Sequence, residues 1–196
     1  MTPRGDTGAT ARWMVGRVTA DQARDLVPAL GAILQDVVNS GASVGFLPPL
    51  GTLEAEIYWG EVIDAVARGS RVLLVARDAD GAVVGTAQLD LCMRANGRHR
   101  GEVMKVMVVR ARQQRGIGRA LMLAVEDEAR KAGVSTLVLD TRAGDPSEAL
   151  YTAVGYQRAG VIPRYARSAN GALDASAFYY RLLDATEGEC GEGRCV

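Results

Sequence analysis

Lysine and histidine are almost absent from this chain of 196 residues: Lys105 and Lys131 are its two lysines and His99 is its single histidine. With three cysteines and one imidazole, neither a zinc cluster nor a disulfide framework is expected, and no metal site is assigned. Aromatic residues make up 5% of the chain. No net charge of either sign is present, because Lys+Arg and Asp+Glu stand at 23 each. That balance gives no general attraction to nucleic acid or to an anionic membrane surface. No apolar run approaches the roughly 18 residues of a membrane span, and the first residues lack the apolar core of a signal peptide. A cytoplasmic location is therefore expected.

What is present is a good supply of core-forming residues, 48% of the chain. At this length they suffice for one continuous core, so residues 1–183 are read as one domain and residues 184–196, rich in Gly and Glu, as a flexible tail that holds Cys190 and Cys195. Residues 21–39 repeat apolar side chains at helical spacing, with Asp21 placed to cap and Pro28 deep enough to break or kink the helix. Residues 40–50 read as a loop. A second helix is expected over residues 53–68, with Thr52 as N-cap. Short apolar runs at 72–76, 82–91 and 102–109, separated by Asp80-Gly81 and Asn96-Gly97 turns, read as three antiparallel strands. Residues 116–132 carry an apolar helical face closed by Gly133, followed by a strand at 135–139, a short helix at 146–154 and strands at 156–162 and 176–183. The fold class is α/β (α+β), a mixed and mostly antiparallel sheet flanked by helices.

The chemistry concentrates where the third strand runs through a glycine-containing loop into a helix, in Gln113-Gln114-Arg115-Gly116-Ile117-Gly118-Arg119-Ala120. Glycines let a ligand approach the main chain, and the first amides of a helix lack internal partners and favour an anion. Arg115 and Arg119 add full charges. A plain strand-to-helix turn would also use these glycines. A P-loop needs Lys-Ser or Lys-Thr where Arg119-Ala120 stands, and a dinucleotide fingerprint needs a third glycine that is missing here.

Gln113-x-x-Gly116-x-Gly118 after a strand ending at Val108, with residues 149–156 (ALYTAVGY) downstream, resembles the GNAT superfamily of N-acetyltransferases over about residues 70–183. The resemblance implies acetyl-CoA as donor. It implies that the main chain of Val108, Val109 and Arg110 pairs with the pantetheine arm, that loop amides from about Gln113 to Gly118 hold the pyrophosphate, and that Arg119 and Ala120 belong to the same cofactor site. It also implies that Tyr151 protonates the departing thiolate, although a helix-face tyrosine packed on the sheet would look the same. Glu102 is the first candidate for accepting the amine's proton, against the alternative of a glutamate paired with Arg100 or Lys105. Asp90 and Asp140 are further candidates that could instead cap strand ends. His99 reads as a solvated turn residue.

Acceptor specificity is expected in the loop and second helix, where Phe46, Glu54, Glu56, Tyr58 and Trp59 combine rings with carboxylates and suit a small cationic amine, against the plainer alternative that Tyr58 and Trp59 fill the core and Glu54 and Glu56 are solvated. Residues 45–50 (GFLPPL) and 54–59 (EAEIYW), with residues 99–103 and 139–145, resemble the subgroup containing the tabtoxin-resistance acetyltransferase. That resemblance implies acetylation of an antibiotic or toxin, either an amino sugar such as kasugamycin or a tabtoxinine-like amino acid, and it admits a homodimer. A protein lysine or N-terminal acetyltransferase and a non-catalytic acyl-CoA-binding module are the competing readings.

Overall fold

The computed structural model describes residues 13–183, so Cys190, Cys195 and the expected tail lie outside the described residues. A seven-stranded sheet runs in the order β1-β2-β3-β4-β5-β7-β6. Its strands are β1 (Trp13–Val18), β2 (Arg71–Asp78), β3 (Val83–Leu91), β4 (Arg100–Val108), β5 (Thr136–Arg142), β6 (Gln157–Arg167) and β7 (Leu173–Leu182). Every neighbouring pair is antiparallel except β4 and β5. The helices are α1 (Ala20–Asp25), α2 (Val27–Asn39), α3 (Thr52–Ala67), α4 (Ile117–Lys131) and α5 (Ser147–Ala153). None of them is long and apolar enough to cross a membrane.

Side chains alternate across the sheet and bury on both faces. On one face Leu74, Ala87, Leu89, Val103 and Leu137 pack against α4 and α5. On the other, Leu73, Val75 and Met107 pack against Leu30, Leu34 and Trp59 of α2 and α3.

Two expected helix caps are corrected, and one strand is new. Strand β1 was not anticipated; it pairs with β2 from Trp13↔Asp78 to Val18↔Leu73. Its six residues show too few alternations to declare themselves without the partner strand. The break or kink expected near Pro28 falls at Leu26, so residues 21–39 form two helices and Pro28 lies in the first turn of α2, where a missing amide costs nothing. Thr19, not Asp21, caps α1, in a reciprocal capping box with Gln22. Similarly, Gly51 rather than Thr52 is the N-cap of α3.

The feature that makes a site is a divergence. The β4–β5 ladder holds only from Arg100↔Thr136 to Glu102↔Val138. Beyond it, β4 stays with β3 as far as Gly85↔Val108, while β5 stays with β7 as far as Arg142↔Ser176. A cleft therefore opens between the last residues of β4 and of β5.

Candidate active site

The loop after β4 lies at the mouth of this cleft. Val109 spends its amide on the Val84 carbonyl at 3.0 Å, so by strand alternation the Val108 main chain faces the other way, toward β5. Residues Arg110–Arg112 make one 3-10 turn, and the Gln113 side chain reaches back to donate to the Val108 carbonyl at 3.1 Å. Two carboxylates secure the turn from outside: Asp36 accepts from the Arg110 amide at 3.4 Å, and Asp78 accepts from the Arg112 guanidinium at 3.1 Å.

The chain then turns through left-handed residues at Gln114 (φ 58°) and Gly116 (φ 86°) into α4. Ala120 is the first residue to bond into the helix, to the Gly116 carbonyl at 3.0 Å, and among the described residues the amides of residues 114–119 have no main-chain partner. Such a run of free amides at a helix start, flanked by exposed Arg115 and Arg119, can hold a diphosphate. The two glycines have different duties. Gly116 supplies the positive φ under the Trp13 ring, whereas a Cβ on Gly118 would lie 3.1 Å from the Leu150 side chain, so Gly118 lets α4 and α5 approach. Ile117 buries its side chain in the core and presents only main chain.

Tyr151 projects from α5 into the layer between helices and sheet, 8% exposed, with its ring 6.0 Å from Tyr179 and 6.3 Å from Tyr156. Burial pushes its hydroxyl pKa up to about 12, which a hydrogen bond with Ser147 opposes and the charges of Asp145 and Asp140 reinforce. The phenol thus stays fully protonated at neutral pH.

The opposite side of the cleft carries a row of charge. Arg71, Asp90, Glu102 and Val138 stand directly across from one another on β2, β3, β4 and β5. Arg71 donates twice to Asp90, at 2.9 and 2.8 Å, and Ser176 donates to Asp140 at 2.6 Å. Glu102 is open to solvent on one side, yet burial of its carboxyl raises its pKa. Asp140 and Asp90 add to that rise, and Lys105 and Arg71 oppose it. Asp140 is thus electrostatically coupled both to Glu102 and to Tyr151.

Phe46 and Tyr58 meet edge to face at 5.1 Å on this side, and Tyr58 bonds Gln88. Burial raises the Tyr58 hydroxyl to about 12. Trp59 does not join them in the cleft but takes the alternative place in the core. It is fully buried beneath Tyr58 at a ring distance of 5.2 Å, so it supports the pocket and cannot touch an acceptor. Glu54 is exposed and forms no ion pair among the described residues. Asp90 lies in the cleft row but is already committed to Arg71. His99 has an exposed side chain, as its turn position suggests. Sequence reasoning passed over Lys105, whose ammonium lies over both rings, and Arg71 and Gln88, which complete the polar row. Lys105's rarity was the one available cue.

Residues 45–156, which run from the acceptor loop through the glycine loop to the Tyr151 element, match the model of the acetyltransferase (GNAT) family. The chain belongs to the GNAT family. Acetyl-CoA is accordingly its acetyl donor. It is 34% identical over 109 residues to an N-acetyltransferase encoded in the hisH-hisA intergenic region of Azospirillum brasilense; the match covers 55% of this chain and 62% of that protein. With the L-methionine sulfoximine/L-methionine sulfone acetyltransferase of Pseudomonas paraeruginosa it shares 28% identity over 162 residues, 82% of this chain and 91% of that one. Two solved structures share the GNAT fold. The ribosomal-protein-alanine N-acetyltransferase of Brucella melitensis matches with a TM-score of 0.72 and 27% identity, over 87% of this chain and 99% of its own. The yncA protein of Salmonella typhimurium, solved with acetyl-CoA, matches with a TM-score of 0.74 and 20% identity, over 94% and 100%.

Proposed function

We propose that this GNAT acetyltransferase acetylates the amine of a small antibiotic- or toxin-like molecule, of amino-acid rather than amino-sugar type. One observation carries the reading: the β4–β5 divergence leaves a cleft with a buried phenol, Tyr151, on one side and, on the other, the carboxylate of Glu102, unpaired among the described residues. The 28% identity to a methionine sulfoximine/sulfone acetyltransferase supports the amino-acid class.

In the segment from Gln113 to Ala120, the free amides of Gln114, Arg115, Gly116, Ile117, Gly118 and Arg119 would hold the pyrophosphate of acetyl-CoA, while those of Gln113 and Ala120 are spent on the Arg110 and Gly116 carbonyls; residues 108–110 would pair with the pantetheine arm. Glu102, through a water, takes the proton of the acceptor ammonium, with Asp140 alongside. The free amine nitrogen then attacks the thioester carbonyl carbon. As the tetrahedral intermediate collapses, the carbon–sulfur bond breaks, the nitrogen releases its second proton to solvent, and the departing thiolate receives the proton of Tyr151, which solvent restores. Holding the two reactants in one cleft supplies much of the acceleration. Edge strand β6, exposed along its length with Val161, Ile162 and Tyr165 at its surface, supports a homodimer built on that edge. A monomer in sedimentation at working concentration would exclude it.

The test of function is release of free thiol when purified protein, acetyl-CoA and a panel of amines are mixed, with the N-acetyl product identified by mass. Methionine sulfone, methionine sulfoximine, kasugamycin and a lysine peptide separate the acceptor classes. Acetylation of the peptide alone would replace this reading with protein acetylation, and no thiol release with any toxin-like amine would overturn it.

A further inference from the structure

The rings and carboxylates around Phe46 and Tyr58 would suit a cationic acceptor, but a cation belonging to the chain already sits there. The Lys105 ammonium lies 5.6 Å from the Phe46 ring centroid and 5.7 Å from that of Tyr58. Its placement depends on an irregularity in β4. The ladder with β3 passes from Gln88↔Met104 to Thr86↔Met107, which leaves one extra residue on β4, and Lys105 takes a left-handed φ of 50°. Val103 faces the α4 core, so in an unbroken strand Lys105, two residues on, would face that core as well. The bulge turns it onto the α2–α3 side instead. A positive φ on a residue with a long side chain costs of the order of 1 kcal/mol and persists where the surroundings enforce it. Gly45 leaves room for the result, because a Cβ there would stand 3.1 Å from the ammonium.

Around Lys105 the polar groups are matched: Arg71 with Asp90, Tyr58 with Gln88, Asp140 with Ser176. Two are not. Among the described residues Lys105 makes no hydrogen bond and no ion pair within 4.0 Å, and the same holds for Glu102, three positions earlier on the same strand. A cleft thus holds one unpaired cation and one unpaired anion that do not reach each other.

Building on the function proposed above, we infer that Lys105 is a specificity-determining residue that binds the carboxylate of a zwitterionic acceptor while Glu102 faces its amine. An α-amino acid carries both charges on one carbon and offers each residue its complement. The apolar rings and partial burial strengthen a charge-assisted hydrogen bond there relative to one in water.

The experiment pairs each of a panel of α-amino acids and their sulfone and sulfoximine analogues with its own carboxamide, which keeps the amine and removes the anion. The wild-type enzyme should prefer the acid of its best pair by about tenfold or more in kcat/KM, the worth of one such bond. In Lys105→Met that preference should collapse toward unity through KM, and Lys105→Arg should retain it. Acetyl-CoA affinity and Tm, measured in parallel, confirm that each variant is folded. A wild-type enzyme indifferent to the acid, or a Lys105→Met variant that keeps the preference, overturns the inference and leaves the acetylation of small amines standing. No thiol release with any amine overturns both.

Discussion

Glu102 stands directly across the β3–β4 ladder from Asp90, whose charge Arg71 holds with two hydrogen bonds, so one of two facing carboxylates is paired and the other has no partner among the described residues. Like charges opposite each other on a sheet repel unless one is paired. Here Arg71 removes most of the conflict and leaves Glu102 as the carboxylate of the pair without a hydrogen-bonded cation among the described residues.

A base must be ionised to work, and burial first, then Asp140 and Asp90, raise the Glu102 pKa against the opposing charges of Lys105 and Arg71. The acid limb of kcat/KM for the acceptor should therefore lie above the ordinary glutamate value of about 4.3. Asp140→Asn removes a negative neighbour and should move that limb to lower pH. A pH profile that is the same in wild type and Asp140→Asn would remove Glu102 from the role of base.

Tyr151, with a pKa near 12, should contribute no basic limb below about pH 10. Tyr151→Phe should lower kcat by roughly 10²- to 10⁴-fold while leaving acetyl-CoA affinity within a few-fold of wild type. Stopped-flow thiol release and calorimetric titration of CoA give the two numbers, and an unchanged kcat would leave Tyr151 a packing residue.

Gly116→Ala places a Cβ at φ 86° and 3.4 Å from the Trp13 ring, so strain, not space, is the main penalty. The expected cost is about 1 kcal/mol of stability, together with a raised KM for acetyl-CoA because the free amides around it shift. Thermal unfolding and donor KM should change together; a lower Tm with unaltered KM would place the pyrophosphate elsewhere.

Glu128, on the α4 side far from the cleft, links Lys131 at 2.7 Å and Arg17 of β1 at 3.3 Å. Burial raises its pKa, but the bonds and charges of Lys131 and Arg17 outweigh that, and the net direction is down. A carboxylate with a depressed folded pKa contributes stability that is present above the unfolded value of about 4.3 and lost as pH falls through the folded one. Glu128→Gln should therefore be less stable than wild type at pH 7, by a modest amount since both cations are largely exposed, and the gap should close in acid. Denaturant melts at pH 7 and pH 3 check it.

Much of this fold can be read from spacing alone. The glycine loop declares itself because Gly116 and Gly118 stand in a fixed relation to the strand before and the helix after, and the α4 face and the Gly133 and Gly155 stops follow local rules. Trp59 stayed open between cleft and core because a ring on a helix next to Tyr58 gives no local sign of which of the two is buried; that depends on how α3 rolls against β2 and α2. Lys105 was passed over for a different reason. Alternation predicts its face only in a regular strand, and the extra residue between Met104 and Met107 cannot be seen until β3 is laid beside β4.

The β4–β5 ladder joins the two halves of the sheet through three residue pairs, against six or more at each of the other interfaces between strands. Mechanically this is a seam. A donor lying along the open part of that seam would bridge strands from both halves, so the nucleotide arm would act as mortar as well as a leash for the acetyl group. Amide exchange in β5 and at the end of β4 should then slow together when CoA is added, while β1 and β2, stitched along their full lengths, stay as they were.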